Sequence, residues 1–407
     1  MPLRPGSVAI TGIGESPVGK VPGRSSMELA TDAALAALAD AGLDKSDIDG
    51  LFVFPSYLDY EVRYASLYAE YLGMDSEKAR IIDAPGISSA SSSGQVFQAV
   101  AACLEAGLCE RALIVSGESF RSHGVGLGNA NNDTVITQIA LTRNKQFENP
   151  YAPLVPSIYA MIAGRYMADY GVTREQLAAV PVTARQFGSI NPRAQMYGKS
   201  LSIEDVVNSP AVSEPLRNYD CALVSDGGVA FVMERKGSRD RPHERDIAIL
   251  GSETSYGTGV GKVYDSYSQM PDVYSMRDGT ANVARRVFEA SGVTRKDIDL
   301  IYSYDCFSIT PLLNIEGMGF AEHGQAAAMF ADGHFSPDGE LPWNTHGGLL
   351  AYAHPGYPGG LLMFSEAVRQ LRGEALGFQA ESPEFAYLQG HGGQLSIFPA
   401  TILGRTA

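Results

Sequence analysis

The segment "DAGLDKSDIDGLFVF" at residues 40–54 has a counterpart in "EASGVTRKDIDLIYSY" at 289–304. Asp47-Ile48-Asp49 aligns with Asp297-Ile298-Asp299, and Gly42 aligns with Gly292 at the same separation. Upstream, "VAITG" at 8–12 pairs with "IAILG" at 247–251. Downstream, the serine stretch "PGISSASSSG", its helix and "ALIVSGES" pair with "NTHGGLLAYAHPGYPGGLLMFSEAVRQLRG" and "FAYLQGHGG". A repeat of this kind means that one structural plan is used twice. The chain is therefore expected to fold as two similar halves, 1–245 and 246–407.

Within the first half, strand and helix patterns alternate. "SVAITGIG" reads as a strand, "SSMELATDAALAALADAG" as an amphipathic helix and "DIDGLFVF" as a second strand. After the serine stretch, a helix over 94–107 leads into the buried strand "ERALIVSGES". This order predicts an α/β protein with helices covering a sheet. Residues 120–215 have no counterpart in the second half. They open with the Gly/Asn-rich "HGVGLGNANND" and continue into helices expected over 157–170 and 173–188, the latter started by a Thr173–Gln176 capping box. Long excursions of this kind cover active sites.

Composition narrows the ligands. Hydrophobic residues make up 45% of the 407 residues and charged residues 19%, the profile of a well-buried folded chain. The net charge of −15 argues against nucleic acid or an anionic membrane as the main partner. An anionic ligand must then be met by local basic groups and helix N-termini. No apolar run approaches the length of a membrane span. The first strand begins so early that no signal or transit peptide is expected. Cys103, Cys109, Cys221 and Cys306 contain no C-x-x-C pair, so reduced thiols, a cytoplasmic location and no metal site are expected. "GIGESPVG" lacks the G-x-G-x-x-G spacing and "GVGLGNANND" lacks the Lys-Ser/Thr of a P-loop, which leaves no nucleotide-binding motif.

Four strand or turn ends carry groups able to do chemistry. Ser91 heads the helix of the first half, and Tyr352 and His354 occupy the matching turn of the second. Tyr304 and Asp305 end the strand 299–304, and His391 and Gly392 follow another strand. Sites in α/β proteins form at such carboxyl ends. A helix N-terminus favours an attacking serine, yet a hydroxyl also needs a dedicated base.

The segments "PLRNYDCALVSDGGVAFVM", "YDCF", "NTHGGLLAYAHPG" and "HGGQLS" occur in the order found in the thiolase superfamily. Over essentially its whole length the chain resembles the sterol-carrier-protein-type branch, and most of all the thiolase-like retro-aldolases of steroid side-chain degradation. The resemblance implies a thiolase fold, two duplicated βαβαβαββ halves in a five-layer αβαβα sandwich, with 120–215 as a cap. It also implies a homodimer formed through strands near the nucleophile turn. Thiolases place a nucleophilic cysteine in a C-x-x-G context, where this chain has Ser91-Ser92-Ser93-Gly94. The second catalytic cysteine is replaced at Gln389-Gly390, and the histidine before Asp-Cys-Phe is Tyr304.

Loss of the cysteines with gain of tyrosines is the retro-aldolase pattern. By resemblance, Tyr304 and Tyr352 are the two catalytic tyrosines, assisted by the retained His354, while Ser91, Asp305, His391 and Gly392 line the substrate or oxyanion pocket. The implied activity is carbon–carbon cleavage of a branched 3-hydroxyacyl-CoA, with a steroid side-chain thioester as one candidate, into a ketone or aldehyde and a shorter acyl-CoA. Such a step needs a base, an enolate stabiliser and an acid but no acyl-enzyme. It needs no cofactor beyond the CoA thioester substrate. Relatives of this type work with a small zinc-ribbon/OB-fold partner, itself linked to a hydratase. The competing expectations are a non-catalytic subunit of an acyl-CoA-processing complex and an acyltransferase dependent on Ser91.

Overall fold

A computed structural model of the chain describes residues 3–58, 61, 63–75, 77–84, 94–124, 155–238, 244–256, 274–392 and 395–405. Its strands are β1 (Val8–Glu15), β2 (Gly50–Val53), β3 (Ile81–Asp83), β4 (Arg111–Ser119), β5 (Ala211–Ser213), β6 (Leu216–Arg217), β7 (Asp226–Arg235), β8 (Ile247–Tyr256), β9 (Leu300–Ser303), β10 (Phe385–Gln389) and β11 (Ile397–Arg405). All but the small β5–β6 pair belong to one sheet, ordered β3-β2-β4-β7-β1-β8-β11-β10-β9.

That order reads the same from either end. β2 is parallel to β4, and β9 is parallel to β10. β4 and β10 then run antiparallel to β7 and β11, which flank β1 and β8. The two sets join where Ala9 faces Ala248 and Ile10 faces Ile247. Outside β2 lies β3, and in the equivalent place beside β9 a single parallel bridge connects Ile301 to Trp343.

The repeated Asp-Ile-Asp has a local cause. In the turn Lys45–Asp47, Asp47 accepts from the Asp44 N–H at 2.9 Å, and in Arg295–Asp297, Asp297 accepts from the Thr294 N–H at 2.8 Å. Two residues on, Asp49 accepts from the Arg111 N–H at 2.8 Å, and Asp299 accepts from the Phe385 N–H at 2.9 Å. Each aspartate thus ties the start of one parallel strand to the start of its neighbour and satisfies backbone donors that the ladder leaves open.

Alternation along the strands sorts side chains into layers. Leu51 and Val53 of β2 pack outward with Ala30, Ala33 and Ala37 of the helix Ser26–Ala41. Phe52 points inward, towards Phe97 of the helix Gly94–Glu105 and Phe364 of the helix Tyr357–Arg372. These two central helices also cover Leu300 and Tyr302 of β9, whereas Ile301 faces the outer helices Ser275–Ser291 and Ile309–Met318. Helix, strand set, helix, strand set and helix make five layers. The outer layer of the first half sits very close: a Cβ at Gly12 or Gly14 would lie 2.2 Å from Ala37 O or 2.1 Å from Ala33 O.

The excursion supplies the helices Val155–Tyr170 and Arg174–Ile190, the second capped by Thr173 and Gln176 as expected. Its far end docks on the turn before His354. Gln195 N–H donates to Tyr352 O at 2.9 Å, and Met196 N–H donates to Ala351 O at 3.2 Å. No helix among the described residues is long and apolar enough to cross a membrane.

Candidate active site

β9 ends by delivering Tyr304 to a buried position beside the end of β10, where its N–H donates to Gln389 O at 3.0 Å. Its hydroxyl lies 2.7 Å from His354 Nε2. His354 follows the one-turn helix Gly348–Ala351. It is fixed at its backbone by Ser225, whose Oγ accepts from the His354 N–H at 3.1 Å. Its ring packs on Gly359, where a Cβ would come within 2.9 Å of Cδ2.

Burial sets the protonation states. It lowers the His354 pKa to about 4, so the imidazole is neutral at pH 7. Burial, with smaller contributions from Cys306 and Asp305, pushes the Tyr304 phenol well above its ordinary value. Tyr304 therefore donates and Nε2 accepts, an assignment that leaves the ring proton of His354 on Nδ1.

His391 stands edge-on to Tyr304, ring centroids 5.1 Å apart and planes at 90°. Burial lowers its pKa to about 3, so it too is neutral. The structure thus brings Tyr304, His354 and His391 together from three strand or turn ends.

Asp305 lies beneath this cluster. Its carboxylate accepts from the Leu349 N–H at 2.9 Å and the Leu350 N–H at 3.3 Å, capping the turn that leads to His354. Burial still raises its pKa to about 7, against the pull of those hydrogen bonds. Gly348 has φ +61°, and a Cβ there would lie 2.1 Å from Asp305 Oδ2, so only glycine admits the cap. Gly392 spends its N–H on Ile397 O at 2.7 Å, which withdraws it as an oxyanion donor. Ser91 lies outside the described residues.

Tyr352, expected to act with Tyr304, has its hydroxyl on a different partner. Its hydroxyl donates to Glu15 Oε2 at 2.5 Å. Glu15, at the end of β1, is also met by Arg369 at 2.7 Å, by Arg193 of the excursion at 3.2 Å and by Ser365. Burial alone would raise the Glu15 pKa, but Arg369 and Arg193, helped by Ser365 and Tyr352, hold it at about 2. Tyr352 O and His354 N are linked in turn through Gln195 and Ser225, whose Oγ donates to Gln195 Oε1 at 2.8 Å. The ion-pair cluster therefore anchors the segment that carries His354.

An aromatic wall that the sequence analysis does not name also borders the His354 segment. Tyr57 stacks on Tyr357, three residues beyond His354, at 4.1 Å, with Phe120 at 5.8 Å from Tyr57. Tyr57 is held by Glu118, which accepts its N–H at 2.7 Å. The signal is present in "FPSY", which directly follows β2, and in "GESF", which ends one residue past β4.

Among the described residues no group of three His, Cys, Asp or Glu side chains could hold a metal ion. A surface hollow of about 380 Å³ between Asp49, Lys78, Arg80 and Arg111 lies at the amino ends of β2 and β4. Tyr304 and His391 instead follow the carboxyl ends of β9 and β10.

Residues 259–405 match the family described as Thiolase C-terminal domain-like. An acetyl-CoA acetyltransferase of Methanothermobacter thermautotrophicus is 32% identical over 95% of this chain and 96% of its own. A steroid side-chain-cleaving aldolase of Thermomonospora curvata is 34% identical over 92% of this chain and 93% of its own. The solved Ltp2-ChsH2(DUF35) aldolase superposes with a TM-score of 0.82 at 30% identity, covering 98% of both chains.

Proposed function

Because the chain belongs to the thiolase superfamily, in its thiolase-like sterol-carrier-type branch, we propose that it is a carbon–carbon lyase rather than an acyltransferase. It cleaves a branched 3-hydroxyacyl-CoA, of the steroid side-chain type named for its aldolase relative, into a ketone or aldehyde and a shorter acyl-CoA. The observation that supports this reading is the Tyr304–His354 hydrogen bond, a neutral pair able to pass a proton, in which by resemblance Tyr304 stands in place of a histidine and His354 is the retained one.

The chemistry balances without a covalent intermediate. The substrate hydroxyl gives its proton to the Tyr304 oxygen as Tyr304 passes its own to His354 Nε2. The C2–C3 bond breaks, C3 becomes a carbonyl, and the electron pair is held as the thioester enolate. His354, now an imidazolium whose ordinary state in this site is neutral, returns a proton through Tyr304 to C2. His391 faces the same phenol and supplies the donor for the enolate oxygen. Tyr352 and Asp305 act on this pair only through the turn they hold.

No cofactor beyond the thioester substrate enters this scheme. A homodimer is part of the reading, as is a partner of the zinc-ribbon/OB-fold kind, supported by the two-component name of the solved aldolase. Its four free cysteines fit a cytoplasmic location.

The test is product stoichiometry. Given a 2-methyl 3-hydroxyacyl-CoA with a tertiary carbinol at C3, and with the partner supplied, the protein should release ketone and shorter acyl-CoA in equal amounts. Acyl transfer to a second CoA with no ketone would overturn the proposal.

A further inference from the structure

His391 shows its two ring nitrogens to different surroundings. Nε2 lies 3.2 Å from Tyr159 Oη and 3.7 Å from Cys306 Sγ. Nδ1, on a side chain only 1% exposed, has no partner among the described residues. Tyr159 belongs to the excursion helix Val155–Tyr170, and its ring stacks on Phe307 at 4.5 Å, one residue beyond Cys306.

A phenol and a thiol both carry hydrogens, and burial pushes the Cys306 thiol far up, so it keeps its proton. A phenol and a thiol can also accept, so the tautomer is what has to be assigned: if Nε2 accepts from them, the one proton of a neutral imidazole goes to Nδ1. The opposite tautomer would turn a lone pair towards any developing negative oxygen and repel it.

We propose that Tyr159 is a positioning residue that fixes His391 in its Nδ1–H tautomer, so that the excursion helix completes the enolate-binding donor of the site. This rests on the lyase reading for the enolate, but not for the tautomer. The consequence is that the excursion takes part in the chemistry: its first described helix prepares a hydrogen bond needed only after the C–C bond has broken.

The test uses the full chain with histidine labelled in ¹⁵N and His391→Gln to assign the resonances. Wild type should show a protonated Nδ1 and an unprotonated Nε2 at His391. Tyr159→Phe keeps the ring on Phe307 and removes the hydroxyl; it should mix the two tautomers and lower kcat about tenfold with KM nearly unchanged. A wild-type spectrum with protonated Nε2 overturns the proposal even if Tyr159→Phe fails to fold. So does a folded Tyr159→Phe whose spectrum and kcat match wild type. If the tautomer is as stated and shifts in the variant while no substrate is cleaved, the lyase reading fails and the catalytic half of this proposal falls with it.

Discussion

Tyr304→Phe and His354→Gln are each expected to lower kcat by about 10²- to 10³-fold, within the range of general acid–base groups. The phenylalanine keeps the ring that packs against His391 and deletes only the hydroxyl that reaches His354 Nε2. The two changes should not add, because each alone breaks the same proton path. Tyr352→Phe, by contrast, is expected to cost less than about tenfold in kcat and about 1–2 kcal/mol in stability, since it removes a hydrogen bond to a charged group away from the chemistry. Steady-state kinetics on the three variants separates these outcomes. The pH dependence follows from the same burial: His354 must be neutral to accept, so kcat should hold above about pH 5 and fall as pH drops through about 4.

Glu15→Ala should be the most destabilising change outside the hydrophobic core, by about 3–5 kcal/mol, because it strands Arg369 and Arg193 without their shared carboxylate. The sign of its pH dependence is fixed. Glu15 is held at about 2 in the fold, against an ordinary 4.5, so its ionised form stabilises the native state above the ordinary value. That contribution, about 3 kcal/mol for a shift of this size, is lost as pH falls from about 4.5 through 2. Denaturant titrations of wild type and Glu15→Gln should therefore differ most near neutrality and converge towards pH 2. A difference that stays constant with pH would mean that Glu15 contributes packing and not charge.

The duplication was legible because it is written in local chemistry. Asp49 and Asp299 each need a partner strand start, and that requirement survives as the same tripeptide in both halves. Strand and helix alternation gave only helices covering a sheet; the five layers were an implication of the thiolase resemblance, and Tyr304 was singled out by an ungapped motif at a strand end. Tyr352 and His354 were harder. They are two residues apart on a turn whose backbone passes through Gly347 at φ +109° and Gly348 at φ +61°, so spacing alone does not say which side chain faces Tyr304. The structure turns the histidine inward and the tyrosine towards Glu15. Glu15 itself left no signature: its partners lie in the excursion and near the other end of the chain, and a single glutamate after a strand does not announce them. Tyr159 was invisible for a related reason, since its meaning comes only from where its helix comes to rest.

The most direct measurement of the central claim is the mass of the intact protein quenched during turnover on a branched 3-hydroxyacyl-CoA. Retro-aldol cleavage through Tyr304 and His354 predicts an unmodified chain at every time point while ketone accumulates. A transient increase equal to the acyl group, mapped to Ser91 or to any cysteine and formed as fast as product, would contradict it.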